Sequence, residues 1–235
     1  MNNTIALSDT TLKLLRNLST INKGLLFTKD GLLSSINETD TVQCSVKVEE
    51  KIPVEFAVYN LKNLLDTLTL CDTPELELEE KHLIIKDLNN EDLSIRYGYC
   101  NKSLINSPFN KKMKLPPEEV PFSFDLNYED LHMCLRASNK LNLPCISIVG
   151  RNGSLILEVS DTNPDETKRI SHNSFTKVIG STKNYFSLNF DVKKMNLLKD
   201  DYKVNISVRQ VAHFKSKNYK CEYLIGANVG SSFDG

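Results

Sequence analysis

Glycine is scarce in this chain, nine among 235 residues, and the scarcity removes several kinds of catalysis at once. No Gly-x-x-x-x-Gly-Lys-Ser/Thr loop is present, and GSTK at 180–183 lacks both the upstream glycine and the strand-to-helix setting in which backbone amides cradle phosphate. The chain does not hold ATP in that way. Neither Gly-x-Gly-x-x-Gly nor a Gly-x-Ser-x-Gly elbow occurs. Metal-ligand spacing is equally thin: His82, His132, His172 and His213 form no His-x-x-x-His, and the six cysteines (44, 71, 100, 134, 145, 221) form no Cys-x-x-Cys. DTNPDE at 161–166 alternates Asp161, Asn163 and Asp165 as a calcium loop does. Its sixth position is Glu166 where the tight turn needs glycine, and its twelfth is His172 where a bidentate carboxylate is needed. It reads as a polar hairpin loop. The expectation is a protein that is not an enzyme and uses no cofactor or metal, with a site assembled from residues distant in sequence as the alternative.

Long apolar runs are also missing, so no segment spans a bilayer, and MNNTIALSDTT lacks the basic start and apolar middle of an export signal. An intracellular, cytoplasmic protein is expected, with its cysteines serving as reduced, small buried hydrophobes. Charge of one sign is missing as well: 29 basic against 30 acidic residues give a formal net charge of −1. Nucleic acid is therefore not held by bulk charge, and any contact with it comes from local charge.

What is present is ordinary globular material, 40% apolar and 25% charged, in a length that suits two domains. Four of the eight prolines fall in SPFNKKMKLPPEEVPF, 107–122, a stiff extended connector. Residues 1–107, 108–121 and 122–235 are thus expected as first domain, connector and second domain.

Each half follows one plan. After a strand-like lead-in, residues 10–24 set Leu12, Leu15 and Leu18 on one side with Leu14 and Ile21 beside them, the spacing of an amphipathic helix. Asp9 is the expected N-cap and Gly24 the stop. GLLFTKDGLLSSI turns at Lys29-Asp30-Gly31 as a hairpin would. VEFAVY leads to a second helix, NLKNLLDTLTL, and ELEL, HLIIKD and LSIRYGY follow as strands. The second half gives FSFDL, the helix YEDLHMCLRASNKL, a hairpin turning at Arg151-Asn152-Gly153, YFSLNF, a fourth helix in DVKKMNLLKDD, then YKVNISV and KCEYLIGANV. The repeat is one of element order and apolar pattern.

Charge is sorted by element. Residues 10–24, 59–70, 128–141 and 191–199 carry +3, 0, 0 and +2, so the four helical segments hold +5 and everything else −6. Lys13 and Arg16 lie opposite Leu15 and Leu18; Lys62, Arg136, Lys140, Lys193 and Lys194 sit on the other segments. For a single helix this is an ordinary solvated face. Four together describe a positive surface inside a negative shell, a shape suited to DNA.

The run from Asp9 to Gly24, with Leu14-Leu15-Arg16-Asn17 and Thr20-Ile21-Asn22-Lys23, closely resembles the first helix of the sliding clamps of T-even bacteriophages. Residues 54–70, 129–148 and 190–206 resemble the other three helical segments in order. The resemblance implies an α+β DNA clamp (processivity) fold, with two similar domains that each pack two helices on antiparallel sheets. Three subunits would form a six-domain ring around double-stranded DNA, tethering the replicative DNA polymerase in the infected host cell. It further implies a separate clamp loader ATPase and late transcription factors as partners. Within it Arg16 and Arg136 match the family's basic pattern best, and Lys13, Lys62, Lys140, Lys193 and Lys194 are added as DNA-facing. By analogy of element order, Ser94, Arg96 and Tyr97 in LSIRYGY would meet Arg169 and Ser171 in TKRISHN of a neighbouring subunit. A non-ring DNA-binding or phage structural β-rich protein is the competing reading.

Overall fold

The computed structural model describes residues 3–106, 115–162 and 172–234. The chain divides into two units, 1–112 and 113–235. Unit 1 holds β1 (Thr4–Ile5), α1 (Asp9–Leu18), β2 (Leu25–Phe27), β3 (Leu32–Ile36), β4 (Val42–Lys47), β5 (Phe56–Val58), α2 (Leu61–Leu68), β6 (Pro74–Leu78), β7 (His82–Asp87) and β8 (Asn90–Gly98). Its antiparallel pairings are β1-β6-β7-β8, β2-β5 and β3-β4.

Helical spacing in the leucines does what the sequence requires: Leu14, Leu15 and Leu18 of α1 and Leu61, Leu64, Leu65 and Leu68 of α2 are buried, and the two helices pack together. The cap of α1 falls one residue before Asp9. Ser8, extended at φ −68° and ψ 156°, accepts from the Thr11 amide at 3.2 Å. The Glu50 carboxylate takes the Ser8 amide at 2.7 Å and the Thr11 hydroxyl at 2.6 Å, and Asp9 stands in the first turn, where the helix dipole favours an acid. The helix ends at Leu18 in tight turns, Thr20 N–H to Asn17 O and Ile21 N–H to Leu18 O. Gly24 serves packing: a Cβ there would lie 2.6 Å from Ile105 Cδ1.

The turn before Leu32 forms, with the Gly31 amide donating to Thr28 O at 2.9 Å and Gly31 at φ 66°. The expected hairpin does not form, because β2 pairs with β5 and β3 with β4. Phe27 stacks on Phe56 at 4.5 Å and Phe56 on Tyr99 at 4.9 Å. Burial of these rings draws β2 away from its sequence neighbour.

Unit 2 holds β9 (Phe122–Leu126), α3 (Tyr128–Leu141), β10 (Cys145–Arg151), β11 (Ser154–Ser160), β12 (Ser174–Ser181), β13 (Tyr185–Asp191), β14 (Tyr202–Ser207), β15 (Val211–Ser216), β16 (Cys221–Gly226) and β17 (Ser232–Asp234). Strands β12-β11-β10-β13-β17 form one antiparallel sheet, against whose β10, β11 and β12 the helix α3 packs, and β16-β15-β14-β9 pair in that order. Tyr202, Phe214 and Tyr223 fill the core of the latter strands. The β10–β11 hairpin turns where expected: Arg151 pairs with Ser154, leaving Asn152 (φ 52°) and Gly153 (φ 78°) as a two-residue turn with both positions left-handed. Asn142, also left-handed, closes α3 as the Ser138 carbonyl accepts from the amides of Asn142 and Leu143.

The fourth helical segment is one 3-10 turn, Val192–Met195. Tertiary contacts override its propensity. Asp191 Oδ1 caps the Lys193 amide at 2.9 Å, and past Asn196 the backbone of Leu198 is taken by two tyrosines, its amide by Tyr223 Oη at 3.1 Å and its carbonyl by the Tyr202 hydroxyl at 2.5 Å. Strands β4, β12, β15 and β17 are additions to the expected elements. Of the connector, 107–114 lies outside the described residues. Its far end makes a 3-10 turn at Pro117–Glu119, fixed by the Val208 amide donating to Glu119 O at 3.0 Å and an Arg209–Glu119 ion pair.

Candidate nucleic-acid interface

On α1 the exposed residues Asp9, Lys13 and Arg16 are spaced by four and three and continue beyond the helix through Thr20 and Lys23, opposite the leucine face. Arg16 stands in the last turn, where the dipole favours a cation. On α3 the exposed stripe is Glu129, Met133, Arg136 and Lys140, spaced by four, three and four. Each helix thus presents two bases on one solvent-facing line. On α2 Lys62 and Asp66 are exposed four apart, so this face carries no net charge. In the 3-10 turn Lys193 is exposed, while Lys194 is half-buried and donates to Asn228 Oδ1 at 2.9 Å.

The two acids at the start of α3 differ in placement. Glu129 is exposed, whereas Asp130 is half-buried and pairs with Lys177 of β12 at 3.5 Å. The basic stripe of α3 is therefore opposed by one solvent-facing acid instead of two. Burial pushes the Cys134 thiol beneath this pair up to about 11, with Asp130 adding to the shift and Lys177 opposing it. Five of the six cysteines are buried and all are free thiols. Among the described residues no three His, Cys, Asp or Glu side chains converge as a metal site.

Among the described residues, the strands that end their sheets with one side unpaired include β8 in unit 1 and β12 in unit 2. Ser94 and Arg96 of β8 are exposed, and Tyr97 turns its hydroxyl to donate to Asn60 O at 3.0 Å, tying the strand to the N-cap of α2. TKRISHN lies outside the described residues up to Ser171, and with it Arg169, Ser171 and most of the 161–166 loop. One open strand of unit 2 is SFTKVIGS, 174–181, whose exposed Val178 faces away from α3. Alternation of Phe175, Lys177 and Ile179 against Thr176, Val178 and Gly180 carried that signal in the sequence.

Residues 123–229 match the family described as gp45 sliding clamp, C terminal. The chain is 27% identical over 226 residues to a sliding clamp of Vibrio phage KVP40, spanning 95% of this chain and 99% of that one. It is 22% identical over 233 residues to a sliding clamp of Enterobacteria phage T4, spanning 97% and 99%. In fold it is similar to A. fulgidus PCNA solved with the C-terminal region of FEN-1 bound, at TM-score 0.68 and 13% identity over 97% of this chain and 99% of that one. A Helicobacter pylori beta clamp bound to a DNA ligase peptide gives TM-score 0.68 and 13% identity over 96% of this chain and 65% of that one. Four stretches of sequence in order, a two-unit fold of short helices on antiparallel sheets and these likenesses converge: the chain is similar to the sliding clamps of bacteriophages over nearly its whole length, and its residues 123–229 match the C-terminal part of that family.

Proposed function

We propose that this chain encircles double-stranded DNA as a homotrimeric ring and tethers the replicative DNA polymerase to its template. The observation that carries the reading is the line of Lys13 and Arg16 on α1 and of Arg136 and Lys140 on α3, each opposite a buried apolar face. Lys62 in unit 1 and Lys193 in unit 2 are further exposed bases of this reading, and Lys194, bound to Asn228, is a positioning group beside Lys193. A lysine about 10 Å from a phosphate across water gains roughly 0.4 kcal/mol before screening. The Debye length of about 8 Å in physiological salt reduces that further. Contacts this weak, numerous and blind to base sequence let a protein translate along the duplex, and retention comes from topology.

Closure needs a heterologous joint, one patch meeting a different patch on the next copy. Edge strands β8 and β12 supply unpaired backbone at two distinct places, so Ser94, Arg96 and Tyr97 of one copy lie along β12 of the next, with Arg169 and Ser171 on the segment leading into it. The protein acts by binding in the host cytoplasm, and a separate loader ATPase opens the ring. The loaded ring also serves late transcription factors as a mobile platform.

Retention on DNA after loading tests the reading. The protein should remain on closed circles and be lost from linear molecules of the same sequence by running off the ends. Equal loss from both, or a stable monomer by native mass at loading concentrations, overturns it.

A further inference from the structure

A second concentration of positive charge lies on strands β14 and β15 of unit 2. Lys203 of β14 and Lys215 of β15 are directly opposite in the register, with both side chains exposed on the face opposite Tyr202, Val204 and Phe214. Like charges facing each other across two strands are unfavourable. The acids nearby are committed to structure. Asp125, the register neighbour of Lys203 on β9, is bridged by Lys217 at 3.0 Å. Glu222, the neighbour of Lys215 on β16, bonds to His213 Nε2 at 3.1 Å, with the field of Lys215 adding to the pull that keeps it ionised. Asp201 accepts the Tyr128 amide at 2.8 Å at the start of α3. Asp200 is buried, accepting from the Ser216 hydroxyl and from the Asn218 amide at 2.9 Å. Among the described residues neither Lys203 nor Lys215 has a carboxylate at ion-pair distance, and exposed Lys199 and Lys220 flank them in sequence.

We infer that the Lys203–Lys215 pair is a docking point for a short acidic peptide segment of a partner protein. Two ammonium groups on adjacent strands match carboxylates on an extended chain, where alternate side chains share one face. Duplex DNA is the poorer fit, because its charge recurs every ~1.7 Å over a long rod. Asp125 and Glu222 stand on either side of the pair in the register, so a rod laid across the strands meets a carboxylate at each end of the pair, whereas a short segment does not. The inference goes beyond encirclement and does not depend on it.

The test measures anisotropy of a fluorescein-labelled peptide of six consecutive glutamates at low salt, against the full-length wild type, Lys203→Gln/Lys215→Gln and Arg16→Glu/Arg136→Glu. The peptide should bind the wild type and the Arg16/Arg136 variant alike, and bind the Lys203/Lys215 variant about tenfold more weakly. Circular dichroism and Tm within a degree or two of wild type show that the glutamine variant is folded; single Lys203→Gln and Lys215→Gln variants, each expected to lose part of the affinity, stand in if it is not. Affinity within twofold of wild type in the glutamine variants overturns the inference. So does a labelled duplex that binds the wild type more tightly than the peptide and loses that binding in the same variants, which would assign the patch to nucleic acid.

Discussion

At Asp200 burial works against the charged carboxylate, and the Ser216 hydroxyl, the Asn218 amide and the Asn218 side chain outweigh it, so the pKa falls below the usual 3.8. Glu50 follows the same pattern: burial opposes its charge, and donors from Thr11 and Ser8 at the start of α1 prevail. At Asp87 the amides of Asn89 and Asp72 come first among the causes of its lowering, and the residue knots the segment after α2 to the end of β7. These groups set the acid response. A carboxylate with a depressed folded pKa contributes fully above its unfolded value, and the contribution drains as pH falls through the folded one. Hydrogen bonds to a charged group are worth about 1.5–3 kcal/mol. Asp200→Asn should therefore lower unfolding free energy by an amount of that order at pH 7, measured by urea titration. The gap from wild type should narrow below pH 3.8, where the unfolded Asp200 protonates first. Glu50 and Asp87 titrate in both proteins and cancel in the difference. A gap that stays constant down to acid pH would remove the carboxylate's charge from the account.

Whole elements show where local sequence suffices and where it does not. The leucine spacing of α1 and α2, the end of α3 and the Asn152-Gly153 turn were legible because each is decided within a few residues. The fourth helical segment and the partner of β2 were not. Those outcomes rest on distant groups: the hydroxyls of Tyr202 and Tyr223 on Leu198, and the ring of Phe56 on Phe27. Two glycines of the β10–β11 hairpin separate the two kinds of constraint. Gly153 has a left-handed φ of 78° and open space around a would-be Cβ. Gly150 has an ordinary backbone, and its Cβ would lie 2.4 Å from Asn184 O and 2.7 Å from the Phe186 ring. Gly153→Ala should cost about 1–2 kcal/mol, the left-handed penalty alone. Gly150→Ala must move backbone at the β10–β13 register and should cost more, by about 1–3 kcal/mol of overpacking or above. Chemical denaturation of the two variants gives the order directly, and Gly153→Ala as the worse of the pair would contradict this assignment.

At the scale of the molecule, the exposure of individual bases was readable and the pairing of their neighbours was not. Lys13, Arg16, Arg136 and Lys140 were identified from helical spacing alone, and they are exposed on two helices. The pairing of Asp130 with Lys177 and of Lys194 with Asn228 required the fold. Reversing Arg16 and Arg136 to Glu changes each position by two charges and takes the formal charge of the chain from −1 to −5. Both side chains are exposed on helix faces whose opposite sides are buried, so folding and assembly should survive the change. If these helices face a duplex, weak attraction becomes weak repulsion at every passage, and because each contact is small the effect appears in the sum. Native mass should therefore match that of the wild type, while residence on closed circular DNA and stimulation of the cognate polymerase both fall. The deficit should shrink as salt rises, since screening removes repulsion as it removes attraction. A variant that stimulates the polymerase as the wild type does at low salt would place these arginines away from DNA. A variant whose native mass falls below that of the wild type would place them in a contact between copies.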